Sequence, residues 1–147
     1  MEQWDYPDPF VGSVVVDNAD IDGLGHANNA AYVTWCETVA WQHSESLGLT
    51  VADYQETGKG MAISSASYEY HAACFESDEL LLATWLTSND RRLRMERRFQ
   101  FRRKIDEVCV FRGCWQLICL NLRTGAPSRI PVLFNEVYGP AIITIEA

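Results

Sequence analysis

The stretch Asp20-Ile21-Asp22-Gly23-Leu24-Gly25-His26-Ala27-Asn28-Asn29 runs directly into a pattern carried by Tyr32, Cys36, Val39, Ala40, His43 and Leu47, and its reading decides the fold. Acids, glycines, a histidine and tandem asparagines make the first part a tight polar turn. From Asn28 onward the apolar residues recur at spacings of three and four. Asn28 or Asn29 can cap the start, and Gly48 stands where a helix would stop. Only Glu37 and Glu45 are charged in this span, which also holds Trp35 and Trp41. So sparse a polar face predicts a helix covered on most sides.

Before the turn, Gly12 to Asp17 reads as a short β-branched strand behind a lead-in containing Pro7 and Pro9. After the helix, strands are expected from Met61 to His71, from Glu79 to Thr87, from Arg91 to Lys104, and from Glu107 to Asn121. In the third of these, Leu93, Met95, Phe99 and Phe101 form an apolar face with Arg92, Arg94, Glu96, Arg98 and Arg102 opposite. Pro131 can open a helical turn through Tyr138, and Ile142 to Ile145 suggest a last edge strand. No alternation of strand and helix is visible, which excludes a doubly wound parallel sheet. The expected class is α+β, one domain over residues 1–147, with one helix against or inside a curled antiparallel sheet. One helix cannot shield both sheet faces, so a homodimer or larger assembly is expected.

With 147 residues, 48% of them hydrophobic, the chain has apolar surface enough for one core. No apolar run reaches membrane-spanning length, and the start MEQWDYPDPF lacks the features of a secretory signal, so a soluble cytoplasmic protein with no membrane partner is expected. The net charge of -8 argues against nucleic acid. It is unevenly spread: residues 91–104 carry eight of the twelve basic groups and one acid, a local +7, which leaves -15 elsewhere. The five cysteines, Cys36, Cys74, Cys109, Cys114 and Cys119, contain no C-x-x-C pair and read as small buried hydrophobes rather than staples or metal ligands.

The chemistry concentrates in the turn. A helix start presents unpaired N–H groups and partial positive charge, which suits it to polarising a carbonyl. A carboxylate beside those donors can attack that carbonyl or activate water to do so. Simple capping by Asp22 and Asn28 is the commoner role for such a turn. A calcium loop fits its opening residues, but Asn29 at the twelfth position cannot supply the bidentate carboxylate. No G-x-S-x-G, Walker, dinucleotide or H-E-x-x-H motif is present, and His43 and His71 read as core histidines. No metal and no cofactor are implied.

The pattern Asp22-x-x-x-His26-Ala27-Asn28-Asn29-x-x-Tyr32-x-x-x-x-Glu37 resembles the D-x-x-x-H-V-N-N-x-x-Y signature of hot-dog-fold acyl thioesterases, the group of 4-hydroxybenzoyl-CoA thioesterase-like and long-chain acyl-CoA thioesterases. Ala27 replaces the usual valine, and the family's proline within the piece matching His71 to Ala73 is missing. The resemblance implies a helix wrapped by a curled antiparallel sheet of about five to six strands, dimers or tetramers with interface sites, and hydrolysis of an acyl-CoA or related acyl thioester to acid and thiol. It places the essential acid on Asp22, as nucleophile or as general base, with His26, Asn28 and Asn29 shaping the oxyanion-binding helix start. Asp20 reads as structural. Leu24 stands where plant acyl-carrier-protein thioesterases have an asparagine, so their polar network does not carry over.

Glu37 shares a helical stripe with Asn29 and Val33. Another hot-dog branch uses a helix carboxylate catalytically, which makes Glu37 a secondary candidate beside a structural role. Arg92, Arg94 and Arg98 are either a solvated face paired with acids or a landing site for coenzyme A phosphates. Tyr68, Tyr70, Trp85 and Trp115 either line an acyl pocket or fill the core. The rival to an enzyme is an acyl-CoA binding or sensor module on the same fold.

Overall fold

A computed structural model describes residues 4–145. Five antiparallel strands form one curled, open sheet: β1 (Phe10–Val15), β2 (Lys59–Tyr70), β3 (Glu79–Asn89), β4 (Arg94–Arg103) and β5 (Cys109–Asn121), in the order β1-β3-β4-β5-β2. The helices are α1 (Asn29–Leu47), α2 (Val51–Thr57) and α3 (Val132–Tyr138). Strands β1 and β2 lie on opposite edges, and the chain passes between them through α1 and α2. That topology, with α1 inserted after the first strand and before a strand meander, is the α+β arrangement the periodicity predicts.

Helix α1 begins where Asn28, in extended conformation, accepts the Ala31 amide through its side chain, and ends at Gly48. Gly48 adopts φ 109°, a left-handed geometry costly for any residue with a Cβ, while its N–H closes onto Ser44 and Glu45. The buried face of α1 carries Ala31, Tyr32, Trp35, Cys36, Val39, Ala40, His43 and Ser44. Tyr32 stacks on Phe111, which stacks in turn on Phe101 and Tyr68. Gly113 keeps this aromatic layer closed, since a Cβ there would stand 3.1 Å from Tyr68 Cδ1 and 3.3 Å from Phe111 Cε2.

Several expectations need correction. Within the single chain α1 is covered on one side only; Ala30, Thr34, Glu37, Thr38 and Gln42 face solvent. Apart from Glu37 these residues carry no charge, and that, rather than burial, made the polar face look sparse. Helix α2 was not foreseen, although Thr50 and Asp53 make a reciprocal capping box and Gly58 ends it. Ile142 forms a single parallel bridge to Leu86 in place of a last strand, because Pro140 sets a 3-10 turn at Gly139–Ala141 just before it. Arg97 belongs to the inward row with Met95, Phe99 and Phe101, and is 3% exposed. Arg102 is also buried, and its guanidinium lies over the Trp4 ring. His71 is exposed rather than in the core, and Cys109 and Cys114 are half-buried.

The sheet face away from α1 is partly covered by the N-terminal segment. Asp5 makes a two-pronged ion pair with Arg112, its amide donates to Gln100 Oε1 at 2.8 Å, and Pro7 accepts the Trp85 indole N–H at 3.0 Å. The guanidinium of Arg98 lies over the Tyr6 ring and donates to its hydroxyl. Among the described residues no helix is long and apolar enough to cross a membrane.

Candidate active site

The turn before α1 is pinned at both ends. Ile21 and Ala27 form an antiparallel bridge, the Asp22 N–H donates to the His26 carbonyl at 2.9 Å, and the Gly25 N–H returns to the Asp22 carbonyl at 3.0 Å. Gly25 completes the loop at φ 82°, where glycine is favoured. Asp22 is exposed, and its Oδ1 accepts the Leu24 N–H at 2.8 Å, an Asx turn that orients the carboxylate while keeping it at the surface.

Asp20 is committed elsewhere. Its Oδ2 accepts the Asp17 N–H at 2.9 Å, and Asp17 Oδ1 accepts from Ala19, a reciprocal cap around the 3-10 turn Asn18–Asp20. Asn28 joins turn to helix: its amide and its Nδ2 both donate to the Asp20 carbonyl, while Oδ1 caps Ala31. His26 packs edge-on against Phe75, with ring centroids 5.3 Å apart, and the next amide, of Ala27, donates to the Cys74 carbonyl. Asn29, exposed, is the first helical residue. With Ala31 capped, the amides of Asn29 and Ala30 have no intrahelical acceptor and form a donor pair at the positive end of α1. Asp22, His26, Asn28 and Asn29 therefore sit around one helix start.

Glu37 does not share that cluster. It lies two helical turns along α1, about 12 Å from Asn29 at about 1.5 Å per residue, and lines a cavity of about 240 Å³ between α1 and the sheet. The apolar wall of this cavity includes Trp41, Met61, Met95, Trp115 and Leu117, and its polar end holds Arg97, Ser44, Tyr54 and Tyr138. Trp115 is fixed by its indole N–H, which donates to Tyr68 Oη at 3.0 Å. Of the other aromatics weighed for a pocket, Tyr70 packs on Tyr32 and Trp85 lies on the opposite face with Trp4 and Tyr6.

The polar end was missed in sequence, although position parity could have found Arg97. Its Nη1 lies 3.0 Å from His43 Nδ1 and donates to Thr84 Oγ1 at 3.1 Å. Because a guanidinium can only donate, His43 Nδ1 must be the accepting nitrogen of a neutral ring. Burial, reinforced by the Arg97 charge, holds the His43 pKa down at about 4. Burial also lowers Arg97 to about 10 and raises the Tyr54 phenol, so at neutral pH the first stays cationic and the second protonated. Tyr138 Oη bridges Ser44 Oγ at 2.9 Å and Tyr54 Oη at 2.7 Å.

The basic segment divides. Arg98 donates to Glu96 Oε1 at 3.1 Å, Arg103 pairs with Asp106 and Lys104 with Glu79. Arg92 and Arg94 are exposed, and their amides both donate to Asp90 Oδ1 at 2.9 Å, a turn that leaves the two side chains at the surface.

Comparison with known proteins shows what carries this geometry. A family model described as the thioesterase-like superfamily matches residues 16–138. No curated protein matches. Among solved structures, the DHNA-CoA thioesterase of Staphylococcus aureus superposes with a TM-score of 0.83 at 20% identity, over 94% of this chain and 99% of that one. The 1,4-dihydroxy-2-naphthoyl-CoA thioesterase of Synechocystis gives 0.80 at 17% identity, over 90% and 96%. A hypothetical Staphylococcus aureus protein solved in complex with CoA gives 0.83 at 15% identity, over 99% and 93%. At these identities the likeness establishes the fold, which is the hot-dog fold.

Proposed function

Since the chain belongs to the thioesterase-like superfamily, we propose that it hydrolyses an acyl-CoA or related acyl thioester to free acid and thiol. The observation that carries this reading is an oriented, solvent-facing carboxylate, Asp22, on the turn that leads into the uncapped amides of Asn29 and Ala30. The amides are suited to receive the thioester oxygen as it gains negative charge. Asp22 acts as nucleophile or as base for a water. As base, Asp22 takes a proton from a water whose oxygen bonds the carbonyl carbon while the C–S bond breaks, and that proton passes to the departing sulfur. As nucleophile, its own oxygen forms the bond, the thiolate leaves, and a water then opens the acyl anhydride to the free acid and supplies the proton. His26 and Asn28 position the turn; they do not touch the reacting atoms.

The separation of Asp22 from the cavity holding Glu37 fits a site completed in a homodimer or homotetramer, across the exposed face of α1. Arg92 and Arg94 supply surface charge for the coenzyme A phosphates. The test is thiol release by the purified protein over a panel of acyl-CoAs. Turnover supports the reading, whereas tight binding of acyl-CoA without any thiol release would make the chain a sensor module instead.

A further inference from the structure

The cavity between α1 and the sheet ends on a cation with no anion beside it among the described residues. Arg97 is 3% exposed, and none of the ion pairs among the described residues includes it. Its hydrogen bonds to His43 and Thr84 use Nη1 alone, so the remaining guanidinium donors are left for the cavity that Arg97 lines. Burying an unpaired cation costs several kcal/mol, and a neutral side chain could hold His43 and Thr84 without that cost. Beside it stand the linked hydroxyls of Ser44, Tyr138 and Tyr54. Two of their three O–H groups are spent on the bonds between them, which leaves one further donor for a second oxygen. Among the described residues the one carboxylate on the cavity wall, Glu37, is exposed and lies about two helical turns from Ser44, toward solvent. The walls between are apolar and aromatic. A guanidinium and a hydroxyl donor at the buried end of an apolar slot match a short hydrocarbon chain ending in a carboxylate.

We propose that this cavity receives the acyl group from its Glu37 end, with the thioester held at the helix start of a second copy, since Ser44 lies about 22 Å along α1 from Asn29 of the same chain, and that Arg97 selects acyl chains bearing a terminal carboxylate, the monothioesters of dicarboxylic acids. This rests on the thioesterase reading for its chemistry, and the cavity assignment can be tested separately. The volume, about 240 Å³, exceeds the roughly 150 Å³ that accommodates a benzene ring, so it suits a chain of about six to eight carbons. The charge-assisted, two-pronged pairing of carboxylate with guanidinium is among the strongest available to a side chain. Arg97 is then a specificity-determining residue and plays no part in breaking the thioester.

Two measurements test it. The first compares kcat/KM for adipyl-CoA with hexanoyl-CoA, and for suberyl-CoA with octanoyl-CoA, in wild type, Arg97→Met and Arg97→Lys. The wild type should favour the ω-carboxyl member of a pair by roughly ten- to hundredfold. Arg97→Met should lose or reverse that preference while still hydrolysing the neutral acyl-CoA, and Arg97→Lys should keep part of it. The second is calorimetric titration of the same three proteins with adipate and with hexanoate, after thermal melting has shown which variants are folded. Adipate binding that depends on Arg97 supports the cavity assignment even if every thioester proves inert, an outcome that would sink only the hydrolase reading. Equal rates on both members of each pair in wild type, or a dicarboxylate preference that survives in Arg97→Met, would overturn the proposal and leave the hydrolase reading standing.

Discussion

Asn28 holds the Asp20 carbonyl with two donors, its own amide at 2.8 Å and its side-chain Nδ2 at 3.0 Å. The same side chain caps α1 through Oδ1, so the helix start and the turn carrying Asp22 move as one piece. Asn28→Ala removes the cap and the Nδ2 half of the clasp and should cost about 1 to 2 kcal/mol of stability. Asn28→Asp keeps an accepting cap and loses the Nδ2 donor. Its melting temperature should stay closer to wild type while kcat falls, and equal kcat in Asn28→Asp and wild type would detach the clasp from catalysis.

His43 makes stability depend on pH in a defined window. Its folded pKa, about 4, lies below the ordinary 6.5. The unfolded chain therefore binds this proton first as pH falls. Stability is fully present above the unfolded value and is lost between about pH 6.5 and pH 4, by up to about 3 kcal/mol. Urea unfolding at pH 7 and pH 5 measures it. His43→Gln keeps an acceptor for Arg97 and does not titrate, so its loss of stability over that interval should be distinctly smaller than wild type's.

The outward arginines should separate by role. Reversing Arg92 and Arg94 to glutamate should raise KM for acyl-CoA severalfold, more so at low salt, and should leave a short thioester without phosphates nearly unaffected. Arg98, already engaged with Glu96 and Tyr6, should when changed to alanine affect melting more than KM. Equal effects of the Arg92 and Arg94 reversals on both substrates would return the pair to an ordinary solvated surface.

Packing around Gly113 is tight for a methyl group, whose carbon would stand 3.1 Å from Tyr68 Cδ1 and 3.3 Å from Phe111 Cε2. Gly113→Ala must push Tyr68 or Phe111 away and should cost about 1 to 3 kcal/mol in thermal or chemical unfolding. An unchanged melting temperature would mean that the aromatic layer yields more easily than its contacts imply.

Much of this was legible in the residues alone. Spacings of three and four from Asn28 to Gly48 give α1, and alternation gives β2 and β4, because each pattern reflects one buried face, whereas β3 and β5 read as strands without alternating. The turn was legible because its residue types are those of a capped helix start. Two features were not. Helix α2 is seven residues long, too short to show a period, and its only signal is the pair Thr50 and Asp53. Arg97 was hidden among surface arginines by composition. Its inward orientation follows from the parity it shares with Met95, Phe99 and Phe101, and its lack of an acidic partner among the described residues depends on contacts between strands far apart in sequence.

The central claim is that the Asp22 carboxylate does the chemistry, and the most direct measurement is thiol release by Asp22→Asn beside wild type on the best acyl-CoA of the panel. Asp22→Asn preserves an oxygen for the Leu24 amide, so the turn and the melting temperature should be retained. The account predicts that kcat falls by at least about a hundredfold while acyl-CoA still binds. A folded Asp22→Asn protein with wild-type kcat would contradict it.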